Sequence, residues 1–167
     1  MTEKMQISAV PSLSNKTVSK LPSDVKIPIY DRNNLAAGIV HIGLGNFHRA
    51  HQAWYLHRLM QQGQAQDWAI IGAGVKEFDK AQRLKLLAQD FLTTLVELSP
   101  VGRTVEVVGS MIDYVPIEAD NGPLIAQMAK PEIKIVTLTV TEGGYYIDPV
   151  SKSFDTSHPD IAYDAAH

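Results

Sequence analysis

The chain has 167 residues, of which 45% are hydrophobic and 20% charged, with a formal net charge of −3 and no cysteine. This length suffices for one domain with a sizeable core, and a near-neutral charge without a basic stripe argues against a nucleic-acid partner. The absence of cysteine excludes disulfides and thiolate metal sites, and no apolar stretch approaches the roughly 20 residues that span a bilayer. The composition therefore predicts a soluble, cytoplasmic protein without a membrane partner.

The composition of the N-terminus predicts a flexible leader. Residues 1–24 contain Ser, Thr, Pro and Lys but lack the continuous apolar run of a secretory signal. A short extended piece at residues 25–30 follows and is interrupted by Pro28. We therefore place the start of the ordered domain at residue 25.

An apolar run at residues 36–42 predicts the first strand, buried on both faces as in a parallel sheet. It leads directly into Gly43 and Gly45, and then into a helix predicted for residues 46–62. Gly43 can supply a tight turn, Gly45 leaves room for an anion, and the helix N-terminus would aim its N–H groups at that anion. The third glycine of the G-x-G-x-x-G pattern is replaced by His48. The glycines therefore serve either a nucleotide phosphate or backbone geometry alone.

The next elements complete a βαβ unit. Gly63 ends the first helix, and residues 68–74 form the second strand. Residues 79–89 predict a short helix with Leu84 and Leu87 on its apolar side. A βαβ unit is the context that a dinucleotide-binding glycine turn requires.

Two β-rich runs at residues 91–98 and 104–112 are separated by a hairpin-like connection at residues 99–103. Because a hairpin interrupts βαβ alternation, we expect the sheet to be mixed at one edge. Residues 123–130 predict a further helix, and residues 133–140 another buried strand. The predicted fold is therefore α/β, with a mostly parallel sheet and a β-hairpin insertion.

Two motifs carry a family resemblance. Residues 41–52 read His-Ile-Gly-Leu-Gly-Asn-Phe-His-Arg-Ala-His-Gln, and the strand at 133–140 runs into Thr-Glu-Gly-Gly-Tyr at residues 141–145. Together, in this order, they closely resemble the mannitol dehydrogenase family of long-chain, metal-independent polyol dehydrogenases. The resemblance implies that residues 25–167 are the N-terminal part of a Rossmann-type NAD-binding domain, incomplete at the C-terminus. It also implies that the helical substrate domain of the family is missing.

In this family the first motif is the dinucleotide-binding turn, so the resemblance implies NAD as the cofactor. The implied cofactor-binding residues are Gly43, Leu44, Gly45, Asn46, Phe47, His48, Arg49, Ala50, Asp79 and Thr141. Glu142 is implied on the substrate side, although its role as a proton carrier, an orienting group or a gate stays open. No metal is implied.

An acidic residue after the second strand governs the choice between NAD and NADP. A carboxylate there accepts hydrogen bonds from the ribose hydroxyls and repels a 2′-phosphate. Glu77 and Asp79 are both candidates, and the resemblance assigns the role to Asp79. Phe78 stands where members of the family can carry a second carboxylate, and Lys76 could tolerate a phosphate. We therefore expect NAD, with tolerance of NADP left open.

The histidines of the first motif are poor metal ligands, because His48 and His51 share a helix face without a third ligand. We expect His48 to support the glycine turn, and Arg49 to help neutralise a pyrophosphate through charge-assisted donors. His41 lies inside the first strand and is expected to be a buried histidine with satisfied hydrogen bonds.

The reaction that the resemblance implies is reversible hydride transfer between a sugar alcohol and its ketose, of the D-mannitol to D-fructose type. Hexuronate reductases acting on fructuronate or tagaturonate, and D-arabinitol dehydrogenases, share the family. The residues that choose among these substrates are expected mostly in the missing half, so the substrate stays open.

The catalytic base of the family is a lysine in a Lys-x-x-x-x-Asn-x-x-His arrangement, and no lysine here begins such a run. The resemblance therefore implies that the base lies beyond His167, and no catalytic residue is assigned within the chain. We expect an N-terminal fragment of an enzyme, or, as another class, a catalytically inactive nucleotide-binding fragment. The oligomeric state stays open.

Overall fold

The computed structural model describes residues 12–140 and 142–167 of the chain. Strands and helices alternate through the first part of the chain. The strands are β1 (Val25–Lys26), β2 (Ala37–Ile42), β3 (Ala69–Ala73), β4 (Thr93–Ser99), β5 (Gly102–Val108), β6 (Met111–Tyr114) and β7 (Ile135–Leu138). The α-helices are α1 (Asn46–Ala50), α2 (Gln52–Met60), α3 (Asp79–Leu87), α4 (Gly122–Met128) and α5 (Pro159–Ala166). Short 3-10 helices lie at Val18–Lys20, Arg32–Asn34 and Glu142–Tyr145.

The main sheet has four parallel strands in the order β6-β3-β2-β7. Val40 in β2 is paired with Ile71 of β3 on one side and with Val136 of β7 on the other. The chain therefore continues in opposite directions from β2, which makes the carboxyl end of β2 a topological switch point. In open α/β sheets such a point is where ligands bind.

Helices cover both faces of this sheet. On one face the buried cluster includes Leu56 and Met60 of α2 with Ile70 of β3, and on the other face Leu124 of α4 packs against Val40. Apolar side chains on both faces explain why β2 and β3 are near-continuous apolar runs in the sequence. The predicted parallel α/β sheet is confirmed.

The hairpin lies in a separate sheet, so the expectation of a mixed edge is wrong. β4 and β5 pair antiparallel, and β1 pairs parallel with β5, giving the order β1-β5-β4. The apolar run at 104–112 divides after Val108, and only its end, β6, joins the main sheet. An ideal Cβ at Gly109 would lie 2.8 Å from Pro28 Cγ, and the Gly109 carbonyl accepts a hydrogen bond from Arg32 at 3.0 Å. The N-terminal segment thus occupies the point where the run divides.

The first predicted helix is broken at His51. His51 has φ −121° and ψ −86°, outside the helical region, and separates α1 from α2. Its Nδ1 lies 2.8 Å from the Phe47 carbonyl oxygen, which the His51 N–H would bind in a continuous helix. The His51 N–H instead donates to the His48 carbonyl at 3.3 Å. The side chain therefore replaces a main-chain bond of the helix.

Two predicted apolar surfaces are exposed instead of buried. Leu84 and Leu87 of α3 are 62% and 45% exposed, whereas the intervening Leu86 is buried. Strand β7 was expected to be buried, but Val136 and Leu138 are 44% and 60% exposed. Within the described residues β7 pairs with β2 alone, so its outer edge is free. Both errors arise because the burial of a segment depends on which other elements pack against it. The apolar content of the segment itself does not encode this.

Part of the expected leader has a described structure. The Asn15 N–H donates to Asp90 Oδ2 at 2.8 Å, and a 3-10 helix follows at Val18–Lys20. The Asn15 contact ties this part of the leader to the domain, and residues 1–11 of the leader lie outside the described residues. Among the helices of the described ranges, none combines the length and apolarity that a membrane crossing requires.

Candidate functional site

A cavity of about 740 Å³ opens at the carboxyl ends of the main sheet, next to the switch point. One wall is formed by the turn between β2 and α1, and the other by the loop after β3 with α3. The lining residues are Ile42, Gly43, Leu44, Gly45, Asn46, Arg49, Val75, Lys76, Phe78, Asp79, Ala81, Gln82, Lys85, Leu138 and Thr139. Six of the residues expected to bind a cofactor are therefore brought together: Gly43, Leu44, Gly45, Asn46, Arg49 and Asp79.

The two glycines of the turn serve different physical purposes. Gly43 has φ +90°, a conformation that side chains of L-residues rarely adopt, and its N–H donates to the Ala73 carbonyl at 2.9 Å. Gly45 has φ −72° and ψ 178°, which any residue can adopt, and an ideal Cβ there would meet no atom within 4 Å. Gly43 is thus required by backbone conformation, whereas Gly45 leaves space at the cavity wall.

The donors at this turn suit an anion. The first N–H groups of α1, including those of Asn46 and Phe47, have no partner within the helix. Helix α1 ends at Ala50, so the macrodipole of a long helix is not available here. Positive charge comes from the cavity lining instead, in the side chains of Arg49, Lys76 and Lys85. The turn fits a phosphate through its N–H donors, its open space at Gly45 and these cations.

Arg49 is bonded to the turn itself. Its Nη1 donates to the Leu44 carbonyl oxygen and its Nη2 to Asn46 Oδ1, both at 2.5 Å. Burial lowers the pKa of the Arg49 guanidinium, which nevertheless stays protonated because an arginine does not lose its charge in proteins. The residue expected to neutralise an anion therefore also braces the loop that would bind it.

Two stacked histidines lie beneath the turn. His41 is buried in β2, with Nδ1 2.7 Å from Thr137 Oγ1 and Nε2 3.0 Å from Thr139 Oγ1. This confirms that His41 is a buried histidine with satisfied hydrogen bonds. His48 is also buried, with Nδ1 3.1 Å from Gln52 Oε1, and its Nε2 has no partner among the described residues. Burial, reinforced by the nearby His41, lowers the pKa of His48 to about 3. Its side chain supports the turn from below and does not line the cavity.

Of the two acidic candidates, only Asp79 lines the cavity. Its Oδ2 accepts hydrogen bonds from the Val75 and Lys76 N–H groups at 3.1 and 3.0 Å. An ideal Cβ at Gly74 would lie 2.4 Å from Asp79 Cβ, so Gly74 makes room for this side chain. Glu77 is 84% exposed at its side chain and forms an ion pair with Lys80 at 2.8 Å. Asp79 therefore both fixes the loop after β3 and presents a carboxylate to the cavity.

The remaining expected cofactor and substrate residues lie elsewhere or outside the description. Phe47 is 66% exposed and stacks on His51 with centroids 4.3 Å apart, and the half-buried Ala50 does not line the cavity. Thr141 lies outside the described residues, and only the backbone of Glu142 is described, at the start of a 3-10 helix.

The C-terminal residue His167, beyond which the family base was expected, has no part in the cavity. It follows α5, with Nδ1 2.9 Å from the Tyr163 carbonyl oxygen and its ring stacked on that of Tyr163 at a centroid distance of 4.2 Å. Its side chain is exposed and does not line the cavity. The two lysines that do line it, Lys76 and Lys85, are not followed by the asparagine and histidine of the family arrangement. A base beyond His167 therefore stays a prediction.

Gln82 and Lys85, two polar lining residues of α3, are among those that were not predicted from the sequence. Gln82 and Lys85 follow Phe78 at intervals of about one helical turn, which puts all three on the cavity side of α3. This spacing was the available signal, because it places a helix face next to the acidic residue. In the described ranges, no group of three or more His, Asp or Glu residues could hold a metal ion.

Comparison with known proteins agrees with this geometry. Residues 37–165 match the family described as the mannitol dehydrogenase Rossmann domain. A mannitol 2-dehydrogenase of Cereibacter sphaeroides is 57% identical over 140 residues, which cover 84% of this chain and 29% of the relative. The chain therefore spans less than a third of the length of that relative.

Two solved structures are also similar to the chain. One is Pseudomonas fluorescens mannitol 2-dehydrogenase in a ternary complex with NAD and D-mannitol, at a TM-score of 0.80 and 42% identity. The other is a D-sorbitol dehydrogenase in substrate-free form, at a TM-score of 0.73 and 36% identity. Each match covers 94% of this chain and 32% of the other. From the match over residues 37–165, we conclude that the chain belongs to the mannitol dehydrogenase family.

Proposed function

We propose that residues 25–167 form the N-terminal, NAD-binding part of a polyol dehydrogenase that interconverts a sugar alcohol and its ketose. The observation that carries this proposal is the cavity at the switch point, whose lining combines Gly43, Gly45, Arg49 and Asp79. The similar Pseudomonas enzyme was solved with NAD and D-mannitol, which supports the same cofactor and a polyol of the D-mannitol type here. The cysteine-free composition supports a reducing compartment, the cytoplasm, as its location.

The two walls of the cavity would bind different parts of a dinucleotide. The open surface at Gly45 and the N–H groups of Asn46 and Phe47 would hold the pyrophosphate, with Arg49 close by. On the other wall Asp79 would accept hydrogen bonds from ribose hydroxyls. When bound, NAD would accept the hydride that leaves the alcohol carbon, and the protein orients it.

Cofactor selectivity depends on the charge around Asp79. Its Oδ2 already accepts two main-chain hydrogen bonds, and Lys76 and Lys85 lie on the same cavity wall. These cations partly offset the repulsion that the carboxylate would exert on a 2′-phosphate. We therefore propose NAD as the preferred cofactor, with weaker binding of NADP.

The chain's own residues account for cofactor binding and not for proton transfer. Oxidation of a secondary alcohol needs a base to take the hydroxyl proton as the hydride leaves. The family arrangement Lys-x-x-x-x-Asn-x-x-His does not occur in these 167 residues. We propose that the chain alone binds NAD without catalysing polyol oxidation, so its function by itself is that of a nucleotide-binding module.

The test measures binding and turnover on the same sample. NADH fluorescence titration of the 167-residue chain should give saturable binding that is competed by NAD and, more weakly, by NADP. Spectrophotometric assays with NAD and D-mannitol, D-arabinitol or D-sorbitol, and with NADH and D-fructose or fructuronate, should show no turnover above background. Absence of NADH binding by the folded chain would refute the cofactor proposal. Turnover of any of these substrates would mean that a base within the chain carries the chemistry.

A further inference from the structure

Three main-chain hydrogen bonds hold the turn between β2 and α1, and none of them uses the Leu44 carbonyl: the N–H groups of Gly43, Gly45 and Arg49 donate to the carbonyl oxygens of Ala73, Gly43 and Gly45 at 2.9, 2.8 and 3.2 Å. Glycine has more backbone freedom than any other residue type, and Gly43 and Gly45 flank Leu44. Helix α1 has only five residues before the break at His51, so it cannot hold the turn as a long helix would. A site that binds an anion through main-chain N–H groups needs those groups fixed in advance, because ordering them on binding costs conformational entropy.

Leu44 is anchored from below by its side chain. The side chain is buried, and it occupies the space that a Cβ at Gly72 would need, since that Cβ would lie 2.1 Å from Leu44 Cδ1. The side chain fixes Leu44 to the sheet, but neither it nor the main-chain hydrogen bonds of the turn bind the Leu44 carbonyl oxygen. A second anchor on the main chain would complete the restraint.

Arg49 supplies that second anchor on the cavity side. One arm of its guanidinium donates to the Leu44 carbonyl oxygen and the other to Asn46 Oδ1. These acceptors lie on either side of Gly45, so the planar fork bridges a residue at which an ideal Cβ would meet no atom within 4 Å. Lysine has a single ammonium on a flexible stem and cannot reproduce a planar fork with two fixed donors.

On the basis of the function proposed above, we infer that Arg49 is a positioning residue for the dinucleotide: by bridging Leu44 and Asn46, it fixes the peptide groups around Gly45. Both arms of the guanidinium have partners within the turn, so its principal effect passes through the loop. An arginine that acted only by its charge would be replaceable by lysine. The bridge predicts that lysine cannot replace Arg49.

The experiment compares variants that retain or remove the charge and the fork independently. Arg49→Lys keeps the charge and loses the fork, Arg49→Met loses both, and Asn46→Ala removes one acceptor while Arg49 stays. Arg103→Met is the control, since it removes a positive charge from the exposed tip of the hairpin. Each variant of the 167-residue chain is titrated with NADH at several salt concentrations, after circular dichroism has established that the variant is folded.

The bridge predicts that Arg49→Lys and Arg49→Met both weaken NADH binding roughly tenfold or more, the loss expected for hydrogen bonds to a charged group. The dependence of log Kd on log salt should stay the same in Arg49→Lys. Combining Arg49→Met with Asn46→Ala should cost less than the sum of the single losses, because both remove the same contact. Arg103→Met should bind as the unmodified chain does.

Three outcomes would overturn the inference. Arg49→Lys could bind NADH within twofold of the unmodified chain, the losses of Arg49→Met and Asn46→Ala could add fully, or Arg103→Met could weaken binding as much as Arg49→Met. If both Arg49 variants fail to fold, Asn46→Ala decides, and unchanged affinity in that variant overturns the bridge. Failure of the unmodified chain to bind NADH would instead contradict the proposed function, so the two failures are distinguishable.

Discussion

The imidazole rings of His41 and His48 stack with centroids 3.6 Å apart and planes inclined by 13°. The stack joins the end of β2 to α1 directly below the glycine turn. Both rings are buried, and burial lowers the pKa of each. The stack is therefore held together as two neutral rings, because two imidazolium cations at this separation would repel one another.

Stability should fall in acid through this pair. The pKa of His48 is about 3 in the folded chain against an ordinary 6.5, so the unfolded chain takes up the proton first as the pH falls. The contribution of neutral His48 to the free energy of unfolding is fully present above about pH 6.5. It is lost as the pH falls toward 3, by up to about 1.4 kcal/mol per pH unit. His48→Phe keeps an aromatic ring without a proton, so its free energy of unfolding should depend less steeply on pH.

Urea unfolding at pH 7.5, 6.5 and 5.5 measures this difference. The unmodified chain and His48→Phe are measured side by side under the same conditions. Equal pH slopes in the unmodified chain and in His48→Phe would contradict the role of the stack.

Substitutions at the two glycines of the turn should affect NADH binding and protein stability separately. Gly45→Val places a side chain in open space with an extended backbone, so the fold should persist. The side chain would fill the approach to the turn, and NADH affinity should fall by roughly a hundredfold, about 3 kcal/mol. Gly43→Ala, at φ +90°, should instead cost about 1–2 kcal/mol of stability.

NADH titration and thermal unfolding of both variants provide the test. The phosphate-binding role of the turn is disproved if folded Gly45→Val binds NADH as tightly as the unmodified chain. If Gly43→Ala unfolds at the same temperature as the unmodified chain, the positive φ carries no conformational cost.

Asp79 should govern the preference between NADH and NADPH through its charge. Asp79→Asn keeps an oxygen that can accept from the Val75 and Lys76 N–H groups and removes the charge, so NADPH should bind relatively better at little cost in stability. Asp79→Ala should also narrow the preference, and lose roughly 1–3 kcal/mol of NADH binding free energy. Because Asp79→Ala also removes the acceptor for the Val75 and Lys76 N–H groups, the free energy of unfolding of this variant should fall by about 1 kcal/mol.

The measured quantity is the ratio of the NADPH and NADH dissociation constants. Glu77→Gln is the matched control, because Glu77 is paired with Lys80 and does not line the cavity. An unchanged ratio in both Asp79 variants would remove this residue from cofactor selection, and a changed ratio in Glu77→Gln would transfer the role to that position.

Much of the candidate site could be predicted from the sequence, because its signals are local. The apolar run of β2, the glycine spacing and the acidic residue after β3 are read within short windows, and the structure brings Gly43, Gly45 and Asp79 to one cavity. The parallel sheet followed from the same βαβ pattern. These short windows predicted the features that are determined by the backbone and by residues close in sequence.

The errors arose where individual side-chain contacts override the local pattern. The break at His51 depends on one side chain bonding to the Phe47 carbonyl. The division of the run at 104–112 depends on Arg32, whose guanidinium donates to the carbonyl groups of Gly109, between β5 and β6, and of Met111, at the start of β6. A window around residues 104–112 does not contain Arg32, whereas Phe47 lies only four residues before His51. A tertiary contact therefore overrides local propensity at 104–112, and a local side-chain bond does so at His51.

The free edge of β7 should make the chain self-associate. Ile135 and Val136 are 43% and 44% exposed on a strand that pairs on one side only within the described residues. An apolar strand with unpaired main-chain groups is a template for pairing with another chain. Replacing both residues by threonine keeps β-branched side chains and lowers the apolar area, so it should reduce association.

Light scattering at increasing protein concentration measures this change. Neither residue lines the cavity, so NADH affinity should be unchanged in the double variant. Ile125→Thr is the control, because Ile125 is 57% exposed but lies on helix α4, where no strand edge is free. Equal improvement in Ile125→Thr would attribute the association to apolar exposure in general and not to the strand edge. No improvement in the double variant would exclude β7 as the contact.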